Sequence, residues 1–279
     1  MRLRNSCSSI ALVILIGLAT TAATASDGEL RVCADPNNMP FSNSDEAGFE
    51  NKLAAMVAED LGKQLQYTWW AQRRGFVRNT LKAGKCDVVM GVPAGYDLVE
   101  TTMPYYRSSY VFVTRQDRHL DLSSLLDSRL HHLVIGVHLI GDDGNNPPPA
   151  QALGEQGIVD NVRGYSIYGD YRQADPPARL IEAVGNGEVD VAAAWGPLGG
   201  YFAQRSAAAL TVTPIRDYER FAPQQFQFAI SMGVRKGDGA LRDRLNAFID
   251  THRSEITSLL RSYGVPLVDQ PVTVSGGRE

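Results

Sequence analysis

GKCDVVMGVPAGYDLVETTMPYY, residues 84–106, contains the clearest indication of the fold in this chain. Asp87–Val92 within it is a near-continuous apolar run, which is typical of a strand buried on both faces of a parallel sheet. A loop, Gly95–Leu98, follows this strand and leads to Pro104, Tyr105 and Tyr106. The stretch therefore predicts a central parallel strand with a loop at its carboxyl end, where open α/β sheets bind ligands.

Strands and helices alternate on both sides of this stretch. Before it, Leu30–Ala34 and Leu65–Trp70 are predicted strands, and Phe49–Leu61 and Gly75–Ala83 are predicted helices. After it, the predicted strands are Tyr110–Arg115, Leu133–Val137, Tyr165–Tyr168, Val189–Ala194 and Phe226–Val234; helices are predicted after Pro147–Pro149, over Ala178–Val184 and Leu198–Ser206, and as one final helix over Leu241–Leu260. This alternation predicts an α/β fold.

The first 25 residues predict a secretory signal peptide. Arg2 and Arg4 precede an apolar run, Ile10–Leu18, and Ala23–Ala25 has the small residues of a cleavage site. A retained anchor is the less favoured alternative, because the run is too short to span a membrane. Cleavage would lower the formal net charge from −4 to −6. A mildly acidic chain without a basic cluster argues against nucleic-acid binding, and no later segment predicts a membrane span.

Two such αβ blocks, joined by the strands Tyr110–Arg115 and Phe226–Val234, resemble the type II periplasmic binding fold. In this fold two doubly wound lobes are connected by two crossing strands. The resemblance implies that lobe 1 comprises residues 26–113 and 228–279 and that lobe 2 comprises residues 114–227. It places the ligand cleft at the carboxyl ends of the strands, along Asp35–Phe41, Trp69–Arg74, Val92–Tyr96, His138–Asp143 and Trp195–Pro197.

The stretch 84–106 also resembles the corresponding part of amino-acid-binding periplasmic proteins, but the residues that bind the amino acid are missing. In that family an arginine in the loop that matches Gly95–Leu98 binds the ligand carboxylate, and this loop has no arginine. The family's aspartate for the ligand ammonium follows the strand that matches Asp190–Ala194, and Trp195 stands there instead. A buried zwitterion needs a partner for each charge, so we expect a ligand other than an amino acid.

Longer motifs occur in both predicted lobes. They are LRVCADPNNMPFSN (30–43), YTWWAQRRGFVRNTLKAGKCDVVMGVPAGYD (67–97), HLIGDD (138–143), YGDYRQADPPARL (168–180) and WGPLGGYF (195–202). These motifs resemble the MxaJ/XoxJ-like J-type accessory proteins encoded with PQQ-dependent methanol dehydrogenases. The resemblance implies a periplasmic protein that partners such a dehydrogenase and is not a transporter subunit.

The candidate cleft and partner-binding residues lie at the predicted carboxyl ends of the strands. They are Asp35, Asn37, Asn38, Phe41, Trp69, Trp70, Arg73, Arg74, Pro93, Tyr96 and Trp195. Tryptophan and arginine are frequent energetic anchors of protein interfaces, so we expect this set to contact the dehydrogenase. The alternatives are that one tryptophan packs between strand and helix, that the arginines are solvated, and that Trp195 is a core residue.

Cys33 and Cys86 are the cysteines that remain after cleavage. Export to an oxidising compartment favours a disulfide between them, and a 2-1-3 strand order would make their strands neighbours. An offset of three residues along parallel strands corresponds, however, to about 10 Å, which exceeds the Cα separation of about 7 Å that a disulfide tolerates. The disulfide is therefore predicted, but whether the alignment of the two strands brings the cysteines close enough is left open.

No motif in the chain predicts catalysis, a cofactor or a metal. A G-x-S-x-G elbow and a P-loop are both missing from the sequence. Asp142 and Asp143 provide too few oxygen ligands for a hard cation, and His131, His132 and His138 lack the spacing of a zinc site. We expect a non-enzymatic protein whose cleft either binds a segment of the dehydrogenase and assists its maturation or holds a small molecule. The alternative is a solute receptor of an ABC importer for a ligand that is not an amino acid.

Overall fold

The computed structural model describes residues 28–139, 146–167 and 175–268. The predicted signal peptide, residues 1–25, and the pair Asp142 and Asp143 lie outside these ranges. Within them the helices are α1 (Phe49–Asp60), α2 (Phe76–Asn79), α3 (Pro148–Glu155), α4 (Arg179–Gly185), α5 (Gly196–Arg205), α6 (Gly239–Thr251) and α7 (Arg253–Ser262). The strands are β1 (Glu29–Ala34), β2 (Asn37–Asn38), β3 (Ser42–Asn43), β4 (Gln64–Trp69), β5 (Val88–Pro93), β6 (Glu100–Thr101), β7 (Tyr106–Arg115), β8 (Ile135–Leu139), β9 (Val162–Ser166), β10 (Val191–Trp195), β11 (Leu210–Pro214) and β12 (Gln227–Val234).

One mixed sheet runs through the described residues in the order β4-β1-β5-β12-β7-β10-β8-β9. β1 pairs in parallel with both β4 and β5, which is the expected 2-1-3 order. The long strand β7 changes partners along its length: Tyr106–Ser109 pairs with β12, and Tyr110–Arg115 pairs with β10 and β11. β7 and β12 therefore connect a first sheet half (β4, β1, β5, β12) to a second sheet half (β10, β8, β9, β11). The lobe limits at residues 113 and 228 stay a prediction.

Each sheet half has its own hydrophobic core. Phe49 on α1 and Phe248 on α6 are fully buried against β1, β5 and β12 in the first half. In the second half, Phe112 and Phe226 centre a cluster on one face of the sheet, and Leu180 belongs to a cluster on the other face. Helices thus cover both faces of the sheet, as parallel strands require.

Three contacts bring the two sheet halves together beside the crossing strands. Met39, in the hairpin β2–β3, is only 3% exposed and packs into the cluster of the second half that contains Leu180. Tyr263, after α7, stacks on Tyr201 of α5 with ring centroids 5.7 Å apart. A Cβ on Gly200 would overlap the carbonyl oxygen of Gly264, so α5 lies directly on the chain beyond α7. The two halves are therefore in direct contact beside the crossing strands.

Cys33 and Cys86 are bonded in the structure, with their Cα atoms 5.5 Å apart. Cys33 lies opposite Val89 in the parallel ladder, so the three-residue offset is real. Cys86, however, precedes β5, which begins at Val88. The distance expected for an extended strand therefore does not apply, because the chain before Val88 is a turn and not part of the ladder.

The structure corrects three local predictions. The final helix is broken at His252 into α6 and α7, although its apolar face continues across the break. The helix predicted over Gly75–Ala83 is limited to α2, because the backbone leaves the helical region at Thr80. The predicted strand Tyr165–Tyr168 begins earlier, as β9, and the edge strand β11 was not predicted at all.

Candidate functional site

A cavity of about 330 Å³ lies at the junction of the two sheet halves, beside the crossing strands. Its volume is at the lower end of the range for small-molecule sites. The described residues that line it are Asn38, Phe41, Glu50, Gln72, Gly91, Val92, Pro93, Tyr106, Tyr110, Ile167, Trp195, Leu198, Phe228 and Ile230. We call this the junction cavity.

Aromatic rings form much of its wall. Trp195, where β10 ends and α5 begins, packs edge to face against Tyr110 and Phe228, at centroid distances of 5.5 and 5.7 Å. Phe41 contributes from the loop that follows the hairpin, and Tyr106 from the start of β7. Such a wall suits an apolar or cationic group, since the faces of aromatic rings are electron-rich.

Glu50, in the first turn of α1, is the acidic residue among the described residues that line the cavity. Its carboxyl lies over the backbone of β5, where a Cβ on Gly91 would overlap Oε1, so the glycine makes room for it. Burial raises the pKa of Glu50 to about 8. The position of Glu50 at the N-terminus of α1 lowers its pKa, because the helix dipole favours the carboxylate. This effect opposes that of burial. No lysine or arginine occurs among the described residues that line the cavity.

A buried polar network supports the same wall. The carboxylate of Asp35 accepts hydrogen bonds from the backbone N–H groups of Asn37 (2.8 Å) and Gln72 (2.6 Å), which holds the loops after β1 and β4 together. Asn38 donates from Nδ2 to Oε1 of Gln72 at 3.1 Å. Its Oδ1 is buried and accepts no hydrogen bond within the described ranges, so the cavity offers a second acceptor beside Glu50.

The residues predicted from sequence divide into three groups. Asn38, Phe41, Pro93 and Trp195 line the junction cavity. Asp35, Asn37 and Trp69 belong to its surroundings: Asp35 bridges two loops, Asn37 lies in β2, and Trp69 stacks on Tyr67 with centroids 4.4 Å apart. Trp70, Arg73, Arg74 and Tyr96 are exposed on the loops at the carboxyl ends of β4 and β5, and they do not line the cavity.

The cleft segment predicted to begin at His138 contributes nothing that the structure places in the cavity. His138 is buried, its Nε2 lies 3.1 Å from the carbonyl oxygen of Pro177, and burial lowers its pKa to about 4. Residues 140–145 of this segment are outside the described ranges. These surroundings indicate a structural role for His138.

Sequence reasoning missed several cavity residues, above all Glu50 and Gly91. In the sequence, Glu50 is an acidic residue at a helix start, where such residues are common. Gly91 is a glycine within a predicted buried strand, and no role was predicted for it. A glycine inside a strand often marks a close approach of another group, and this was the available signal. Tyr110 and Phe228 were assigned to the crossing strands without a prediction of their side-chain direction.

The described residues contain neither a metal-binding cluster nor a membrane-crossing helix. Within residues 28–139, 146–167 and 175–268 no cluster of three or more His, Cys, Asp or Glu side chains could hold a metal ion. Over the same ranges, no helix has the length and apolarity that a membrane crossing requires.

Comparison with known proteins identifies the family. The sequence profile of the bacterial extracellular solute-binding proteins, family 3, matches residues 30–265. The chain belongs to this family. Protein MoxJ of Methylorubrum extorquens is 35% identical over 259 residues, which is 90% of this chain and 85% of MoxJ. Protein MoxJ of Paracoccus denitrificans is 28% identical over 95% of this chain and 97% of its own length.

A solved structure agrees with this assignment. The periplasmic binding protein XoxJ from Methylobacterium extorquens AM1 superposes with a TM-score of 0.71 at 36% identity, covering 86% of this chain and all of XoxJ. The predicted type II periplasmic binding fold is confirmed, and so is the resemblance to the J-type proteins. Membership of an extracellular solute-binding family makes this chain a binding protein by descent.

Proposed function

We propose that this solute-binding family member is a periplasmic, non-enzymatic accessory protein that binds a PQQ-dependent methanol dehydrogenase. The observation that carries the proposal is its similarity to MoxJ and XoxJ over most of the chain, at 35% and 36% identity. Three of the five J-type motifs, 30–43, 67–97 and 195–202, contribute residues to the lining of the junction cavity. No lysine or arginine among the described lining residues could pair with a ligand carboxylate, which supports a role other than amino-acid uptake.

The surface that we propose for the dehydrogenase is the rim formed by Trp70, Arg73, Arg74, Pro93 and Tyr96. Trp70 and Tyr96 are 40% and 37% exposed, and they are among the most exposed large apolar side chains of the described residues. Both follow strands of the first sheet half at their carboxyl ends. Exposed aromatic residues next to arginines are typical of interface anchors.

The geometry of the junction cavity bears on the two mechanisms considered for the cleft. The cavity has an aromatic wall and a volume of about 330 Å³. This size suits a small group better than an extended peptide segment, so we assign partner binding to the rim and the cavity to a small moiety.

The second candidate function is a receptor for an ABC importer, with a ligand that is not an amino acid. The cavity between the two sheet halves favours it, because a volume of about 330 Å³ lies within the range of small-molecule sites. An affinity capture from periplasmic extract, with the mature chain as bait, distinguishes the two. Recovery of the dehydrogenase supports the accessory role, whereas recovery of a permease without the dehydrogenase supports the importer.

Free α-amino acids should not stabilise the mature protein. A ligand at 100 times its Kd adds about 2.7 kcal/mol of stability, which would raise the melting temperature by about 5–10 °C for a chain of this size. We expect no shift across the standard amino acids, because no described lysine or arginine lines the cavity to pair with the carboxylate. A thermal-shift panel measures this, and a clear shift with any of them would contradict the prediction.

A further inference from the structure

The junction cavity contains the carboxyl group of Glu50, and no lysine or arginine stands beside it among the described lining residues. Glu50 makes no hydrogen bond or ion pair with a side chain of the described ranges, and burial alone accounts for its raised pKa. A buried carboxyl that is not paired costs free energy in its charged form. Its position facing an open cavity, with Gly91 leaving space for the carboxyl, is that of a group which pairs with a ligand.

The other walls have the chemistry that complements a cation on an apolar chain. Asn38 is 8% exposed, and its buried Oδ1 is an unused acceptor at the same cavity. Tyr110, Trp195 and Phe228 present a cluster of rings that stabilises cations and alkyl groups alike. The described lining thus contains acceptors, π-faces and aliphatic surface, but no cation.

We propose that the junction cavity binds an alkylammonium group, with the Glu50 carboxylate as its counter-ion and the aromatic wall around its apolar chain. The group is either a free small amine or a lysine side chain of the partner. The inference rests on the proposed function only if the ligand is a lysine side chain of the partner, because binding of a free amine does not require the dehydrogenase. A free α-amino acid is disfavoured by its own carboxylate, which would find no positive partner among the described residues that line the cavity.

Binding should be linked to the ionisation of Glu50. The titratable groups that interact electrostatically with Glu50 are Tyr67 on β4 and Tyr105 and Tyr106 at β7. Burial raises the pKa of Tyr67 to about 12 and those of Tyr105 and Tyr106 well above the usual tyrosine range, so all three stay neutral. The affinity for an alkylammonium ion should therefore rise about tenfold per pH unit below the pKa of Glu50 and level off near pH 8.

Calorimetric titration of the mature protein with n-butylamine between pH 6 and 9 tests the inference. We expect saturable binding that tightens as the pH rises, weaker binding of n-butanol and none of butyrate. Glu50→Gln should weaken butylamine binding at least tenfold at pH 8.5 and remove its pH dependence. Glu59→Gln, an exposed acidic residue on the same helix, should change nothing.

A second variant protects the test against misfolding of the first. Gly91→Ala introduces a Cβ whose three nearest neighbours are carboxyl atoms at the flexible end of Glu50, so it should displace the carboxyl and weaken binding while the fold is kept. Nα-acetyl-lysine methylamide replaces butylamine in a parallel arm, and its tighter binding would identify the partner's lysine as the source. No binding of either amine at pH 8.5, or equal binding to Glu50→Gln, overturns the inference. Amine binding without capture of the dehydrogenase would instead refute the proposed function alone.

Discussion

Replacing Trp195 by alanine should lower the free energy of unfolding by about 3 kcal/mol, the low end of the range for truncating a large core aromatic residue. The side chain packs against the cores of both sheet halves, and its ring contacts Tyr110 and Phe228. The low end applies because the residue also lines the cavity and is only partly buried. Scanning calorimetry should show a melting temperature about 6–12 °C lower.

Val159→Ala is the matched control for this truncation. Val159 is an apolar residue of the second half that is 58% exposed, so its truncation should change stability by no more than about 0.5 kcal/mol. If Trp195→Ala has the same melting temperature as the wild type and the control, Trp195 is not a core residue. The interpretation of Trp195 as a partner contact would then be favoured.

Removing the bond between Cys33 and Cys86 should cost about 2–4 kcal/mol, because the bond closes a long loop of the unfolded chain. The two cysteines are 53 residues apart in sequence. Both are buried in a cluster with Phe76 and Leu81, so alanine at both positions leaves the packing largely intact. Denaturant unfolding of the double alanine variant measures the loss.

The reduced wild type is the control for the double variant, and the two should unfold at similar denaturant concentrations. Mass spectrometry after alkylation of the native mature protein gives an independent check. We expect no alkylated cysteine at position 33 or 86 without prior reduction. Two alkylated thiols in the native protein would show that the bond does not form.

Much of the fold could be predicted because each element has a clear local signal. The apolar run Asp87–Val92 and the 3.6-residue period of Phe49–Leu61 match β5 and α1 closely. The break at His252 could not be predicted, because a single non-helical residue leaves the apolar residues of α6 and α7 on one continuous face. β11 was missed because an edge strand with mixed burial has no continuous apolar run.

The candidate site was less predictable, because it depends on contacts between distant segments. Four of the eleven predicted residues line the junction cavity, and each follows directly from the rule that sheets bind ligands at the carboxyl ends of their strands. The rule says nothing about helix starts, so Glu50 was missed. It also could not show that Trp70, Arg73 and Arg74, which follow the edge strand β4, lie outside the cavity.

The most direct test is a titration of the mature chain into a periplasmic PQQ-dependent methanol dehydrogenase of the same organism, followed by light scattering or calorimetry. We expect a saturable complex, a loss of affinity of about tenfold or more when Trp70 and Arg74 are both replaced by alanine, and wild-type affinity for Val159→Ala. No complex at tens of micromolar protein, or equal affinity of the Trp70 and Arg74 double variant, would contradict the proposal that this rim binds the dehydrogenase.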